Sequence, residues 1–172
     1  MNASTVTFET PIGRCAIRWT EAGIARVLLP RASGRDGAAY ETGLPVPGFV
    51  GEAIEGIVAL LSGEPRDLRG VPLDWTGIDD FRRDVYAATR EVGPGSTASY
   101  GQIAKGIGRA EAARDVGTAL ARNPFAIVVP CHRIVAANGA LTGFSAPGGI
   151  ALKRKMLELE GAPGYGQQLL FA

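Results

Sequence analysis

The string VVPCHRIVAANG, at 128 to 139, holds the residues of this chain best suited to chemistry: Cys131, one of two cysteines, directly precedes His132, the only histidine. A thiolate is the reactive form of cysteine, and nearby positive charge lowers its pKa. His132 and Arg133 are the nearest candidates for that charge, so the string predicts a thiol pKa below that of free cysteine. Adjacency alone does not make a pair, because neighbours in extended chain point to opposite faces. The imidazole must reach the sulfur around a turn or through a bridging water. It also needs a carboxylate on its other nitrogen to fix its tautomer and basicity. Glu158 and Glu160 are the candidates.

Two other chemistries compete. Free cysteine is among the most buried residue types, so the dipeptide alone reads more readily as a buried Cys beside a partly exposed His. A zinc centre fares worse: two cysteines and one histidine supply three ligands, and adjacent ligands are unlike the spaced pairs of structural zinc sites. No metal is expected. Cys15 lies mid-strand with no base suggested nearby and reads as structural.

The elements that must position Cys131 can be read from periodicity. FAIVV at 125–129 reads as a buried strand stopped by Pro130, placing Cys131 at a strand-to-turn junction. Upstream, residues 5–30 form short strands, with Cys15, Ile17 and Trp19 alternating against Ala16 and Arg18. Residues 31–49 read as a loop, and Ile54, Ile57, Val58 and Leu61 mark a helix ended by SGEP. Phe81, Val85, Ala88 and Val92 mark another, with Asp79 or Asp80 as its N-cap. Ser99 and Gln102 form a capping box opening a short helix. A further helix at 110–122 buries Ala112, Val116, Ala119 and Leu120, and the pair suggests a helix-turn-helix. The last helix, 150–160, turns Ile150, Leu152, Met156, Leu157 and Leu159 inward and leaves Lys153, Arg154 and Lys155 wet.

The expected fold is α/β: a small N-terminal sheet-and-helix domain at 1–76, then a mainly helical domain at 77–172 containing the helix-turn-helix. With 172 residues, 46% hydrophobic, the chain can bury a real core. A net charge of +1 argues against a bulk polyanion binder but allows a local basic surface. No signal-peptide pattern opens the chain, no apolar run reaches the roughly 20 residues of a membrane helix, and two cysteines are too few for a disulfide framework. The expectation is a cytoplasmic monomer with reduced thiols and no cofactor.

On the 110–122 helix, Arg114, Gly117, Thr118 and Ala121 share the face opposite the buried stripe. Small residues there permit close approach to another surface, with one long cation projecting. A helix reading the major groove would carry several long polar side chains. Taken singly, Tyr100 reads as a packing residue and Arg114 as a solvated one.

From Ser99 to Gly161 the sequence resembles the O6-alkylguanine-DNA alkyltransferases, also called methylated-DNA–protein-cysteine methyltransferases. SYGQIA, AARDVGTALARNP, VVPCHRIV, NGALTGFS, GG and KRKMLELEG carry the resemblance, in order and at family-like spacing. It implies direct repair of O6-alkylguanine, and secondarily O4-alkylthymine, in double-stranded DNA, each molecule acting once without an obligate protein partner. Cys131 would be the alkyl acceptor, His132 its base through water, and Glu160, favoured over Glu158, the orienter. Asn123 would hold the site by side-chain hydrogen bonds. Tyr100 would crowd the 3′ phosphate and donate to the guanine, and Arg114 would fill the gap left by the flipped base. The face around Gly117, Thr118 and Ala121 would lie in the minor groove, and Val129 and Ser145 would line the guanine pocket. Two departures stand out. TGFSAPGGIA carries two more residues than the shorter family form, with Phe144 where Tyr is common. The N-terminal half lacks the ligands with which some relatives bind zinc.

Overall fold

A computed structural model describes residues 3–31, 45–146 and 148–166. Three strands, β1 (Ser4–Thr10), β2 (Gly13–Thr20) and β3 (Gly23–Leu28), form an antiparallel meander. Cys15 and Ile17 point into the core as the alternation predicts, with Ile17 opposite both Val6 and Val27. Ala16 and its neighbour Thr7 are buried too, so the second face of the strand is closed at this point rather than open to water.

The free edge of β3 is closed at two places. Ile24 donates to Pro72 O at 2.8 Å and accepts from Asp74 N–H at 2.8 Å. Three residues on, Val27 donates to Pro124 O at 2.8 Å. Covering an edge in this way removes a template for unwanted pairing. The first contact requires Gly23: its φ is +146°, and a Cβ there would fall 2.6 Å from Pro72 O.

Helix α1 (Gly48–Leu61) buries Val50, Ala53, Ile57, Leu60 and Leu61 at helical spacing. Helix α2 (Asp80–Arg90) is capped by Asp79, whose carboxylate accepts from Arg82 N–H, and the buried Tyr86 hydroxyl donates to Ala119 O at 2.8 Å. The two-residue β4 (Ala98–Ser99) leads into α3 (Tyr100–Gly106), opened by the reciprocal Ser99–Gln102 capping box that the sequence predicts. Helix α4 (Ala113–Ala121) packs on α3 and is shorter than the expected 110–122. Its buried stripe is the expected one: Ala112 just before it, then Val116, Ala119 and Leu120. After a single 3₁₀ turn at Cys131–Arg133, β5 (Ile134–Val135) pairs in parallel with β4, and α5 (Gly149–Leu159) follows.

Three expectations are corrected. FAIVV is buried but is not a regular strand. Val27 pairs with Phe125, and the chain then doubles back through Ile127 at φ 72°, with Val129 N–H donating to Phe125 O at 2.7 Å. On α5, Met156 and Leu157 face inward as expected, but Ile150 is 38% exposed: it shares a face with Leu157, seven residues on, but sits in the first turn of the helix. Lys153, read as wet, is 1% exposed: it stands three and four residues before Met156 and Leu157 and shares their face.

One contiguous buried cluster joins β1–β3, α1, α2, α4, segment 125–129 and Met156, so both halves of the chain supply a common core. No helix among the described residues is long and apolar enough to cross a membrane.

Candidate active site

Cys131 is delivered by two tight reversals in succession. Val128 N–H donates to Ala126 O at 2.9 Å around Ile127, and Cys131 N–H donates to Val129 O at 2.8 Å around Pro130, whose φ and ψ are −80° and 66°. These are γ-turn geometries, and the positive φ at a β-branched residue is the strained kind, costing on the order of 1–3 kcal/mol. Asn123 holds the reversal closed. Its Oδ1 accepts from Phe125 N–H at 2.9 Å and its Nδ2 donates to Val129 O at 2.9 Å.

His132 turns away from solvent. Its side chain is 1% exposed, and Nε2 lies 2.8 Å from Glu160 Oε1 at the C-terminal end of α5. Arg133 grips the same carboxylate with two nitrogens, Nε to Oε2 at 2.9 Å and Nη2 to Oε1 at 2.8 Å, and its Nη1 donates to Val92 O at 2.7 Å. Burial alone would raise the Glu160 pKa, but the hydrogen bonds and charge of His132 and Arg133 bring it down to about 2. Burial pulls the His132 pKa down against the pull of Glu160. The consistent assignment is a carboxylate paired with Arg133 and a neutral imidazole donating its Nε2–H. Nδ1 then carries the lone pair, and it is buried without a hydrogen-bond partner among the described residues. Glu158, the alternative orienter, holds no such contact among the described residues.

The expected activation of the thiol by His132 and Arg133 is corrected. Burial pushes the Cys131 pKa up, against a hydrogen bond from Asn123 and the charge of Lys153. The neutral His132 brings no charge, and that of Arg133 is spent on Glu160. The cation whose charge acts on the sulfur is Lys153, whose place on the buried stripe with Met156, Leu157 and Glu160 is the sequence signal for it. Its Nζ donates to Ile134 O at 2.6 Å and Thr142 O at 3.1 Å, and lies 3.5 Å from the Tyr100 hydroxyl. It also stands 5.8 Å from the Tyr100 ring centre and 5.9 Å from that of Phe144. Burial lowers its pKa while Cys131 opposes the shift.

Cys131 opens on a cleft of about 480 Å³, within the range of small-ligand sites. Tyr100, Asn123, Ala121, Phe144 and Ser145 share its walls with residues of β3. The Tyr100 hydroxyl donates to Thr142 O at 3.1 Å, and Ser145 Oγ donates to Ala121 O at 2.7 Å, tying the longer loop to both α3 and α4. Val129, expected to line the pocket, is fully buried beneath it; its carbonyl is occupied by Asn123 and the Cys131 amide. On α4, Arg114, Thr118 and Ala121 are exposed, and Gly117 is half-buried with the Tyr100 ring 3.8 Å from where its Cβ would be. Thr118 Oγ1 donates back to Arg114 O at 3.3 Å. The Arg114 side chain has no ion-pair partner among the described residues. Pro147, within the longer loop, lies outside the described residues.

This geometry has counterparts. The family model of the 6-O-methylguanine DNA methyltransferase DNA-binding domain matches residues 80–162. A methylated-DNA–protein-cysteine methyltransferase of Methanosarcina acetivorans is 37% identical over 155 residues, 90% of this chain and 96% of the relative. One from Mycobacterium tuberculosis is 43% identical over 127 residues, 74% of each. The crystal structure of Mycobacterium tuberculosis OGT in complex with DNA is 37% identical, covers 94% of this chain and 96% of its own, and superposes with a TM-score of 0.72. The chain belongs to the methylated-DNA–protein-cysteine methyltransferase family.

Proposed function

We propose that the chain repairs DNA by moving the alkyl group of O6-alkylguanine, and secondarily of O4-alkylthymine, to Cys131 Sγ, once per molecule. The observation that carries the proposal is the division of labour in the 131–133 turn. Cys131 faces the cleft, while His132 turns inward onto a charged carboxylate and keeps its Nδ1 lone pair free.

A base inside a duplex cannot present its O6 substituent to a sulfur, so it is flipped out at a cost of a few kcal/mol. The exposed face of α4 lies in the minor groove, with Gly117, Thr118 and Ala121 permitting close approach and Arg114 filling the vacated stack. Tyr100, at the rim, crowds the 3′ phosphate. In the cleft the thiol proton passes through water to His132 Nδ1, and Glu160 stabilises the resulting imidazolium. The sulfur attacks the alkyl carbon, the carbon–O6 bond breaks with its electron pair going to guanine, Tyr100 donates a proton to the leaving base, and the proton held on His132 passes back through water to restore the Tyr100 hydroxyl. Because burial raises the thiol pKa, the sulfur is protonated at rest and ionises as His132 takes the proton. Lys153 stabilises the thiolate as it forms. A thioether does not hydrolyse, so turnover ends there. Residues 77–172 form the transfer unit, consistent with a family match that starts at Asp80, and the chain works as a cytoplasmic monomer without a cofactor.

The test is intact mass after mixing with duplex DNA containing O6-methylguanine. Transfer should stop at one equivalent, add one methyl to Cys131 and none to Cys15, and vanish in Cys131→Ser while DNA binding persists. Repeated turnover, or a methyl on Cys15, would defeat the reading.

A further inference from the structure

The N-terminal segment around β3 and the end of α4 supply part of the cleft wall, and the charge there is one-sided. Arg26, Arg31 and Arg122 line the cleft that holds Cys131, and among the described residues no aspartate or glutamate lines it. All three arginines are exposed, and none forms a hydrogen bond or ion pair through its side chain among the described residues. Some surface arginines elsewhere are matched, Arg14 with Glu9, Arg69 with Asp67 and Glu91, Arg82 with Asp79, while Arg18, Arg114 and Arg154 have no ion-pair partner among the described residues but lie outside this cleft. Arg26 also stands directly across from Arg18 in the β2–β3 ladder, and like charges placed directly opposite are destabilising. A near-neutral chain has thus gathered unmatched cations at one rim.

Their position is fixed rather than incidental. Val27, next to Arg26, donates to Pro124 O, and Pro124 joins Asn123 to Phe125 in the turn that delivers Cys131. Arg122 adjoins Asn123 and caps the C-terminal end of α4. Arg26 and Arg122 therefore line the cleft on a frame hydrogen-bonded to the turn that holds Cys131, and Arg31 lines the same cleft.

We infer that Arg26, Arg31 and Arg122 form a phosphodiester grip, through which the N-terminal sheet holds the DNA strand that carries the flipped nucleotide. The inference rests on the proposed function for its choice of anion. A nucleotide inserted in the cleft stays covalently joined to its flanking phosphates, which must sit at the cleft mouth. Guanidinium groups suit such phosphates by their forked geometry. The N-terminal half then takes part directly in substrate binding, and the contact is to backbone, so it adds affinity without base preference.

The test measures affinity for a labelled duplex bearing O6-methylguanine as salt is varied, in a Cys131→Ser background so that no transfer intervenes. Arg26→Gln with Arg31→Gln should lower the slope of log affinity against log salt by about 1.8, from two lost phosphate contacts at about 0.9 each. Arg122→Gln alone should lower it by about 0.9. Arg66→Gln, a charge change away from the cleft, should leave it unchanged. An unaltered slope in folded double and single variants overturns the grip, as does a loss equal to that of Arg66→Gln. Failure of the proposed function shows separately, as absence of methyl transfer by the unsubstituted chain.

Discussion

At the scale of single residues, the proposed mechanism separates reaction from proton handling within three consecutive positions. Glu160 binds His132 and Arg133 at once, so its charge matters to both stability and chemistry. Its depressed pKa has a defined consequence. The stabilisation is present above the ordinary carboxylate range near pH 4.3 and is lost as pH falls towards about 2. Urea unfolding followed from pH 5 to pH 2 should therefore show a drop that Glu160→Gln lacks. At pH 7 the same substitution leaves Arg133 buried without its anion and should cost about 3–5 kcal/mol. A variant with wild-type stability and an unchanged acid profile would contradict the assignment. Cys131, His132, Asn123 and Glu160 were legible because the residue types and the family string name them. Lys153 was not. A run of three basic residues reads as a solvated face, and only the stripe that Lys153 shares with Met156 and Leu157 reveals its burial. The direction of the thiol shift was missed for a related reason: sequence shows which cations are near, not which are already neutralised.

At the scale of elements, local signals fared better than imposed ones. The Asp79 cap and the Ser99–Gln102 box are properties of a few adjacent residues, and both stand as the sequence predicts. The turn at 125–129 is held instead by Asn123 and by the edge of β3, and a run of β-formers gives no sign of a positive φ at Ile127. Helix α4 was legible in its faces but not its start, because Ala112 offers no capping side chain. The role proposed for that helix separates flipping from transfer. Arg114→Ala should slow repair of duplex DNA about tenfold or more, each ~1.4 kcal/mol of lost flipping support counting one decade. Reaction with free O6-benzylguanine, which needs no flipping, should be nearly unchanged. The measurement is the ratio of the two rate constants, and equal effects on both would return Arg114 to an ordinary surface arginine.

At the scale of the whole molecule, the sheet and the reactive turn are continuous. Composition foretold a core, and alternation foretold the strands. That β3 would pair with Pro124 and Phe125, about a hundred residues downstream, has no local signature. The Val27 amide is consequently a remote sensor of the turn that holds Cys131. Its hydrogen bond ends on Pro124 O, so its proton is protected only while that turn is closed. Ile17, one strand inward with partners on both sides, is protected by the meander itself. In Asn123→Ala, which severs the link to Val129, deuterium should enter Val27 faster while Ile17 keeps its wild-type rate. Matched changes at the two amides would show sheet and turn opening as one unit. A selective change at Val27 would let the breathing of the Cys131 turn be timed from the opposite end of the chain, with no substrate present.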